Sequence, residues 1–409
     1  MTDKNMRLTT IVILLVAGIL AGTQLGKVAP LIGWYQSDIG FSLVLTGWFT
    51  AMIGIFVALA ALPAGWAIER VGARSSFVVS SLVLAAGGVA LALLQSPVAI
   101  FAARLVEGLG YLVLVIAIPA LLNSVPPPRW RATALAVWGG FVPMGFAIGD
   151  FLARGMDAPA NPRLYLGVTV LLFVLLAAPA AILLGRVGNA GNDLPARADM
   201  GGLGATLTLP VILVALAFGI YVVASIGFFT FLPSFVQGPD SALLASAGTI
   251  SLTVLLGNFL ASLLVRGSAR LSLFLAALGF AVTALAAWPA FTGTDGTSAT
   301  AAVIVFAVAG GLTASTLFAA IPAIVPRGGS AAVAIGLVCQ AGGIGTVLGP
   351  PLAAAVVDAH GWTGFAWFLG AVSAAGLVCL VPLLLGRSTR PVGEAGRGGL
   401  SEARAGLDT

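Results

Sequence analysis

The chain has 409 residues, of which 59% are hydrophobic and 8% are charged, and its formal net charge is +5. Soluble globular domains carry about 25% charged residues, so the composition excludes that class and predicts a polytopic membrane protein. Two cysteines and one histidine are too few for a disulfide framework, a metal site or haem, and we expect no cofactor.

The apolar runs divide into twelve predicted spans, because each span needs about 20 residues. The spans lie at residues 8–32, 42–67, 75–94, 98–122, 132–153, 164–186, 205–235, 242–265, 270–290, 299–325, 331–356 and 362–386. The sequence therefore predicts an all-α integral membrane fold of two six-helix bundles. These are residues 1–186 and 205–386, joined by a cytoplasmic linker at 187–204 and followed by a disordered cytoplasmic tail at 387–409.

The basic residues lie mainly on one side of these spans. If the N-terminus is cytoplasmic, the inner segments carry 15 of the 19 Lys and Arg, and the outer loops carry two, Arg154 and Arg163. This asymmetry follows the positive-inside rule. We therefore expect a bacterial inner-membrane protein with both termini in the cytoplasm, and the net charge needs no nucleic-acid partner.

Span one contains two polar residues on one helical face. In the stretch "TQLGKVAP", Gln24 and Lys27 are three residues apart. Lys27 lies about 10 Å from the outer end of the span at 1.5 Å per residue. Lys27 could reach the interface by snorkelling, or it could be a buried cation that attracts an anion.

The loop after span two combines glycines, an acid and two arginines. It reads "PAGWAIERVGARSS" and includes Gly65, Glu69, Arg70, Gly72 and Arg74. An ordinary inner loop would also carry arginines, and this interpretation stays open.

Span four contains the stretch "RLVEGLG", with Arg104 and Glu107 on one face and Tyr111 continuing that face. A charge at the bilayer centre costs about 2.5–3.5 kcal/mol on insertion scales, so both groups must face protein or water. They could pair and simply hold the bundle together. Such a pair, however, leaves Lys27 uncompensated, which favours an anion site.

Span five contributes two further candidates. Trp138 lies in its cytoplasmic half and either lines a cavity or packs against lipid. Asp150 closes the span, and we expect an i,i+4 pair with Arg154 at the outer interface; the alternative is an outer gate or a second proton site.

The last six spans carry no charged residue within their apolar runs and offer neutral groups instead; Arg270, at the first residue of span nine, belongs to the inner loop before it. The candidates for substrate contact are Tyr221, Phe228, Asn258 and Gln340. Asn258 and Gln340 are favoured, because amides in hydrocarbon need hydrogen-bond partners.

The loop after span two resembles the motif G-x-L-A-D-R-x-G-R-[KR] of the major facilitator superfamily, with Glu69 in place of Asp. Arg104 and Gly108 resemble the family's span-four motif, and "GGIGTVLGPPL" in span eleven resembles its Gly-Pro pattern. The resemblance implies the major facilitator fold. It also implies that Gly65, Glu69, Arg70, Gly72 and Arg74 form a cytoplasmic latch, and that spans one and four line a central cavity. The second-half loop "LLVRGSARLS" lacks the acid of the motif.

These observations predict a non-enzymatic secondary transporter that works by alternating access as a monomer. The proposed substrate is a small anionic or polar organic solute. Its contacts would be Gln24, Lys27, Arg104, Tyr111, Trp138, Tyr221, Phe228, Asn258 and Gln340, with Glu107 carrying a proton. Spans one and four resemble the cyanate and nitroimidazole branch of the family. The alternative is proton-coupled export of drug-like molecules through Glu107 and the aromatic groups of span seven.

Overall fold

The computed structural model describes residues 3–127, 134–135, 137–186, 203–265, 268–326 and 328–385. Every regular element within these ranges is helical. Ten of the described helices are long and apolar enough to cross a membrane. The predicted linker and tail lie almost wholly outside the described residues, so the structure does not test them.

The first six spans follow the predicted order. Their helices are Asp3–Gly26 with Ile32–Ser37 (span one), Leu43–Ala51 with Ile55–Val71 (span two), Ala73–Leu93 (span three), Pro97–Ser124 (span four), Phe141–Gly155 (span five) and Pro162–Arg186 (span six). The predicted start of span five, at residue 132, lies outside the described residues. Span one is interrupted by a 3-10 turn at Ala29–Leu31, because Pro30 cannot donate a backbone hydrogen bond.

The last six spans are equally regular. Their helices are Leu209–Gln237 (span seven), Ala247–Leu264 (span eight), Ala269–Thr292 (span nine), Gly296–Ile324 (span ten) and Ala331–Leu385 (spans eleven and twelve), after a short helix at Leu203–Thr206. Spans eight and nine begin after Ser246 and Ser268, whose side chains accept the backbone N–H three residues on.

Spans eleven and twelve are two helices that meet at a sharp kink, with no loop between them. The kink lies at Gly361, where φ is 62° and ψ is −161°. The predicted end of span eleven at residue 356 is therefore wrong, because the helix continues through His360. Allowing for this kink and for the short described part of span five, the twelve-helix prediction is confirmed.

Arginines mark one end of the bundle, which we call the basic end. Its described residues include Arg7, Arg70, Arg74, Arg186 and Arg270, whereas Arg154 and Arg163 lie at the other end, which we call the opposite end. Gly72 forms the turn between spans two and three at the basic end with φ of +91°, a conformation that L side chains rarely adopt.

Small residues bring the helices of the first six spans together. Gly145 of span five lies on the backbone of Gly22 in span one, and Gly110 of span four lies on the backbone of Ser80 and Leu84 in span three. Close backbone approach through small residues is the usual way in which membrane helices associate.

Two seams join the first six spans to the last six. Span two packs along span eleven, where Gly343 lies on the backbone of Ala58 and a Cβ added at Gly47 would meet the span-eleven backbone at 2.8 Å. Span five packs along span eight, where Gly248 lies against the carbonyl of Ala147. The two seams bring backbones of the two sets of spans into direct contact.

The contact between spans one and five yields a stability prediction. A Cβ added at Gly145 would overlap the Gly22 backbone, so we expect Gly145→Ala to destabilise the fold by about 1–3 kcal/mol through overpacking. The matched control is Gly167→Ala, because a Cβ there meets no atom within 4 Å. Thermal unfolding of the purified protein in detergent measures both, and equal midpoints would contradict the prediction.

Candidate functional site

Three charged side chains meet inside the first six spans. The Glu107 carboxylate accepts a hydrogen bond from Lys27 Nζ at 2.5 Å through Oε1 and one from Arg104 at 2.8 Å through Oε2. All three side chains are fully buried. One carboxylate is thus shared by two cations, and the three groups together carry a charge of +1 when all are ionised. We call Gln24, Lys27, Arg104 and Glu107 the charged cluster.

Gln24 orients Lys27 within the cluster. Its Oε1 accepts from Lys27 Nζ at 2.8 Å, while its Nε2 donates to the backbone carbonyls of Thr169 at 3.1 Å and Leu20 at 3.3 Å. The amide therefore has partners on both sides, which fixes its rotation. This bonding ties span one to span six.

Arg104 binds the end of the span-one helix. Its guanidinium donates to the carbonyl of Gln24 at 2.8 Å and to the carbonyl of Leu25 at 3.3 Å. A third bond of 3.4 Å reaches the carbonyl of Thr50 in span two. The last carbonyls of a helix lack intrahelical partners and carry partial negative charge, so they suit a cation. The break in span one therefore provides part of the solvation that Arg104 loses on burial.

Span three closes the cluster from the side. A Cβ at Gly88 would lie 3.0 Å from Glu107 Oε1 and 3.5 Å from Lys27 Nζ, and a Cβ at Gly87 would lie 2.8 Å from Glu107 Cγ. The Phe49 ring of span two lies 5.7 Å from the Arg104 guanidinium carbon. Every described partner of the cluster thus belongs to the first six spans.

Two other predicted contact residues of the first six spans pack among apolar groups. Tyr111 is buried in the apolar core. Trp138 stacks on Phe141 with ring centres 4.2 Å apart and packs on Gly18 of span one. Trp138 is half-buried by this packing, and its role at a cavity or against lipid stays a prediction.

The neutral candidates of the last six spans divide into two kinds. Phe228 packs among aromatic rings, 4.8 Å from Phe306, which favours a packing role. The other three candidates are polar. Tyr221 accepts a hydrogen bond of 3.3 Å from Ser225, one turn further along span seven. Asn258 accepts one of 3.0 Å from Ser315 of span ten. Gln340 differs, because its Oε1 is buried without a hydrogen-bond partner. The roles of these residues in substrate binding stay predictions.

The loop after span two has the expected turn, but its latch function is untested. Arg70 and Arg74 are exposed, and the Arg74 guanidinium lies against Gly185 at the end of span six. Gly65 and Gly72 lie in the predicted places, and the side chain of Glu69 is outside the described part of the structure. The latch therefore stays a prediction.

Asp150 does not have the partner that local spacing predicted, which was Arg154. It is 3% exposed, and its Oδ2 accepts a hydrogen bond of 2.9 Å from the backbone N–H of Gly248 in span eight. No ion pair between Asp150 and Arg154 is found in the part of the chain that the structure describes. The expected i,i+4 pair is therefore wrong, because the carboxylate faces another helix rather than its own.

Sequence reasoning missed the groups that complete the charged cluster. The carbonyls of Thr50 and Thr169 are backbone atoms and leave no residue-type signal. Gly87 and Gly88 did leave a signal in the sequence, since adjacent glycines within a span indicate that another helix approaches closely there.

The fold and the cluster together define a polytopic α-helical membrane protein of two six-helix bundles. The family model described as Major Facilitator Superfamily matches residues 14–344. The chain belongs to the Major Facilitator Superfamily.

Individual relatives match only part of their length. The chain is 24% identical over 173 residues to the arabinose-proton symporter of Escherichia coli strain K12, covering 42% of this chain and 37% of the symporter. It is 27% identical over 164 residues to plastidic glucose transporter 4 of Arabidopsis thaliana, covering 39% and 30%. The chain thus spans about a third of the length of these curated relatives.

Solved structures match over nearly the whole chain. A POT family transporter in complex with 5-aminolevulinic acid gives a TM-score of 0.70 at 13% identity, covering 92% of this chain and 96% of that one. A bacterial homolog of the human lysosomal transporter Spinster, inward-facing and occupied, gives 0.64 at 15% identity, covering 92% and 94%. At these identities the likeness shows the fold alone.

The shared carboxylate predicts a specific pattern of stability. Glu107→Gln leaves two buried cations without their common anion, and we expect a loss of about 3–5 kcal/mol. Lys27→Met combined with Glu107→Gln removes one of those cations and should recover much of the loss. Thermal unfolding in detergent measures both variants, with Arg163→Gln as an exposed control that should stay within about 0.5 kcal/mol. A double variant no more stable than Glu107→Gln would contradict the shared-anion account.

Proposed function

We propose that this chain is a proton-coupled secondary active transporter of a small anionic or polar organic solute, working by alternating access. The observation that carries the proposal is the buried Glu107 carboxylate shared by Lys27 and Arg104. A buried ionisable group in a membrane protein is a functional-site candidate by default, with its partners named.

The sharing links a proton to an anion. When Glu107 is ionised, it occupies both cations. When Glu107 is protonated, its negative charge is lost and Lys27 and Arg104 together carry +2, which favours an incoming anion. Proton binding and anion binding at the cluster therefore favour one another, and by linkage the effect is reciprocal.

The cluster also adjoins the boundary between the two sets of spans. Gly26, next to Lys27, lies against Phe146 of span five. The Phe146 ring stacks on Phe229 of span seven with centres 5.2 Å apart. A rocking motion of the last six spans would therefore act on the end of span one, whose carbonyls bind Arg104. This continuity supports coupling between the cluster and alternating access.

The neutral groups of the last six spans support a compact polar solute. The unpartnered Gln340 Oε1 calls for a hydrogen-bond donor, and Asn258 adds a second amide. The name of the arabinose-proton symporter pairs a small polar solute with protons, which supports the same class here. The patterns of spans one and four support the cyanate and nitroimidazole branch.

The distribution of arginines supports an orientation. We infer that the basic end faces the cytoplasm of a bacterial cell, with both termini inside and the protein in the inner membrane as a monomer. In this orientation Gly65, Glu69, Arg70, Gly72 and Arg74 would form the cytoplasmic latch.

Transport in proteoliposomes with an imposed proton gradient tests the proposal. We expect saturable movement of one small anion from a panel of cyanate, bicarbonate and short carboxylates, set against arabinose, glucose and lipophilic cations. Glu107→Gln should abolish the response to the gradient, whereas Gly167→Ala should transport normally. Full gradient-driven transport by Glu107→Gln would refute the coupling role. Movement of lipophilic cations only would favour drug export, and movement of sugars only would refute the anionic substrate.

Lys27 gives a separate test of selectivity. Lys27→Ala should weaken the apparent affinity for the anion by about tenfold or more, since hydrogen bonds to charged groups contribute about 1.5–3 kcal/mol. A neutral analogue should be bound as before, and Lys27→Arg should retain most of the affinity for the anion. Competition against the transported anion measures all three, and equal losses for charged and neutral ligands would argue against an electrostatic role.

A further inference from the structure

Asp150 forms a polar contact across the boundary between the first six and the last six spans. It lies near the opposite end of span five, buried, and its Oδ2 accepts the Gly248 N–H of span eight at 2.9 Å. A carboxylate in hydrocarbon is costly unless it has a partner. The described partner of the Asp150 carboxylate belongs to the last six spans, across the boundary from span five.

The position of Gly248 explains why it is the donor. Span eight begins at Ala247, and Ser246 Oγ accepts the Thr249 N–H at 3.1 Å. The first N–H groups of a helix have no intrahelical acceptor, and the helix N-terminus carries partial positive charge. Asp150 thus supplies, from another helix, an acceptor that the cap of span eight does not provide.

The fit at Gly248 is tight. A Cβ there would lie 2.9 Å from Phe151 Cε1, 3.0 Å from Asp150 Oδ2 and 3.1 Å from the carbonyl oxygen of Ala147. All three atoms belong to span five, so a Cβ at position 248 must displace the Phe151 ring and the Asp150 carboxylate and crowd the Ala147 carbonyl. The hydrogen bond thus lies within a close packing contact between the two helices.

We propose that Asp150 and Gly248 form a gate latch that holds the opposite end closed. Opening that end separates span five from span eight, which breaks the hydrogen bond and uncovers the carboxylate. Arg154, on the same helix, is exposed and makes no ion pair with Asp150 among the described residues. The gate latch rests on the alternating-access part of the proposed function, not on the substrate or the proton coupling.

Cysteine labelling of the purified protein without substrate tests the gate latch. The background replaces Cys339 and Cys379 by alanine. The reporter is Ser251→Cys, a buried position one turn after Gly248, and the reference is Thr283→Cys, buried in span nine. The labelling rate at the reporter follows the population of the open state even when that state is rare.

We expect Asp150→Ala and Gly248→Ala to raise the labelling rate at position 251 by about tenfold and to leave position 283 unchanged. Asp150→Asn should fall between these and the parent, because its amide oxygen can still accept. The matched controls are Asp240→Ala, an exposed carboxylate at the same end, and Gly155→Ala, where a Cβ meets no atom within 4 Å. Neither control should change either rate.

Two outcomes would overturn the gate latch. Parent-like labelling at position 251 in both Asp150→Ala and Gly248→Ala would show that the contact does not hold the end closed. Equal acceleration at positions 251 and 283 would show general loosening instead. If Asp150→Ala does not fold, Asp150→Asn and Gly248→Ala decide the question. Because the assay uses no solute and no gradient, a failure of the anion hypothesis leaves its result unaffected.

Discussion

The structure depends on keeping three charges inside an apolar bundle. Lys27, Arg104 and Glu107 are fully buried, and isolated charges in such a place would cost several kcal/mol each. The neighbouring helices meet this cost together. Span one ends early enough to offer its last carbonyls to Arg104, and span three carries glycines where a side chain would displace the carboxylate. The break in span one is therefore part of the site.

The sequence alone predicted what lies within one helix better than what lies between helices. The spacing of three residues placed Gln24 beside Lys27 and Arg104 beside Glu107, and both pairs are present. Their junction followed from the resemblance, which put spans one and four together. Asp150 shows the limit of local spacing, because the nearby arginine suggested a partner while the actual donor lies 98 residues away. Backbone donors and acceptors on other helices have no signature in residue type.

The contacts between the two sets of spans combine apolar side-chain packing with close backbone approach at glycines. Gly343 lies on Ala58 in one seam, and Gly248 lies on span five in the other. Glycine lets the helices approach closely at these points without interlocking side chains. A boundary of this kind suits two bodies that move against each other, since packed interfaces tend to have discrete alternatives rather than continuous ones.

Span five connects the charged cluster to the boundary. Phe146 and Asp150 are four residues apart and so lie on one helical face. Phe146 contacts Gly26 at the end of span one and stacks on a ring of span seven, while Asp150 binds Gly248. In the proposed alternating access, a shift of span five would act on the helix end whose carbonyls hold Arg104. It would then change how well Glu107 is compensated, because Arg104 shares this carboxylate with Lys27 of span one. The charge state of the cluster and the closure of the opposite end would thus belong to one equilibrium.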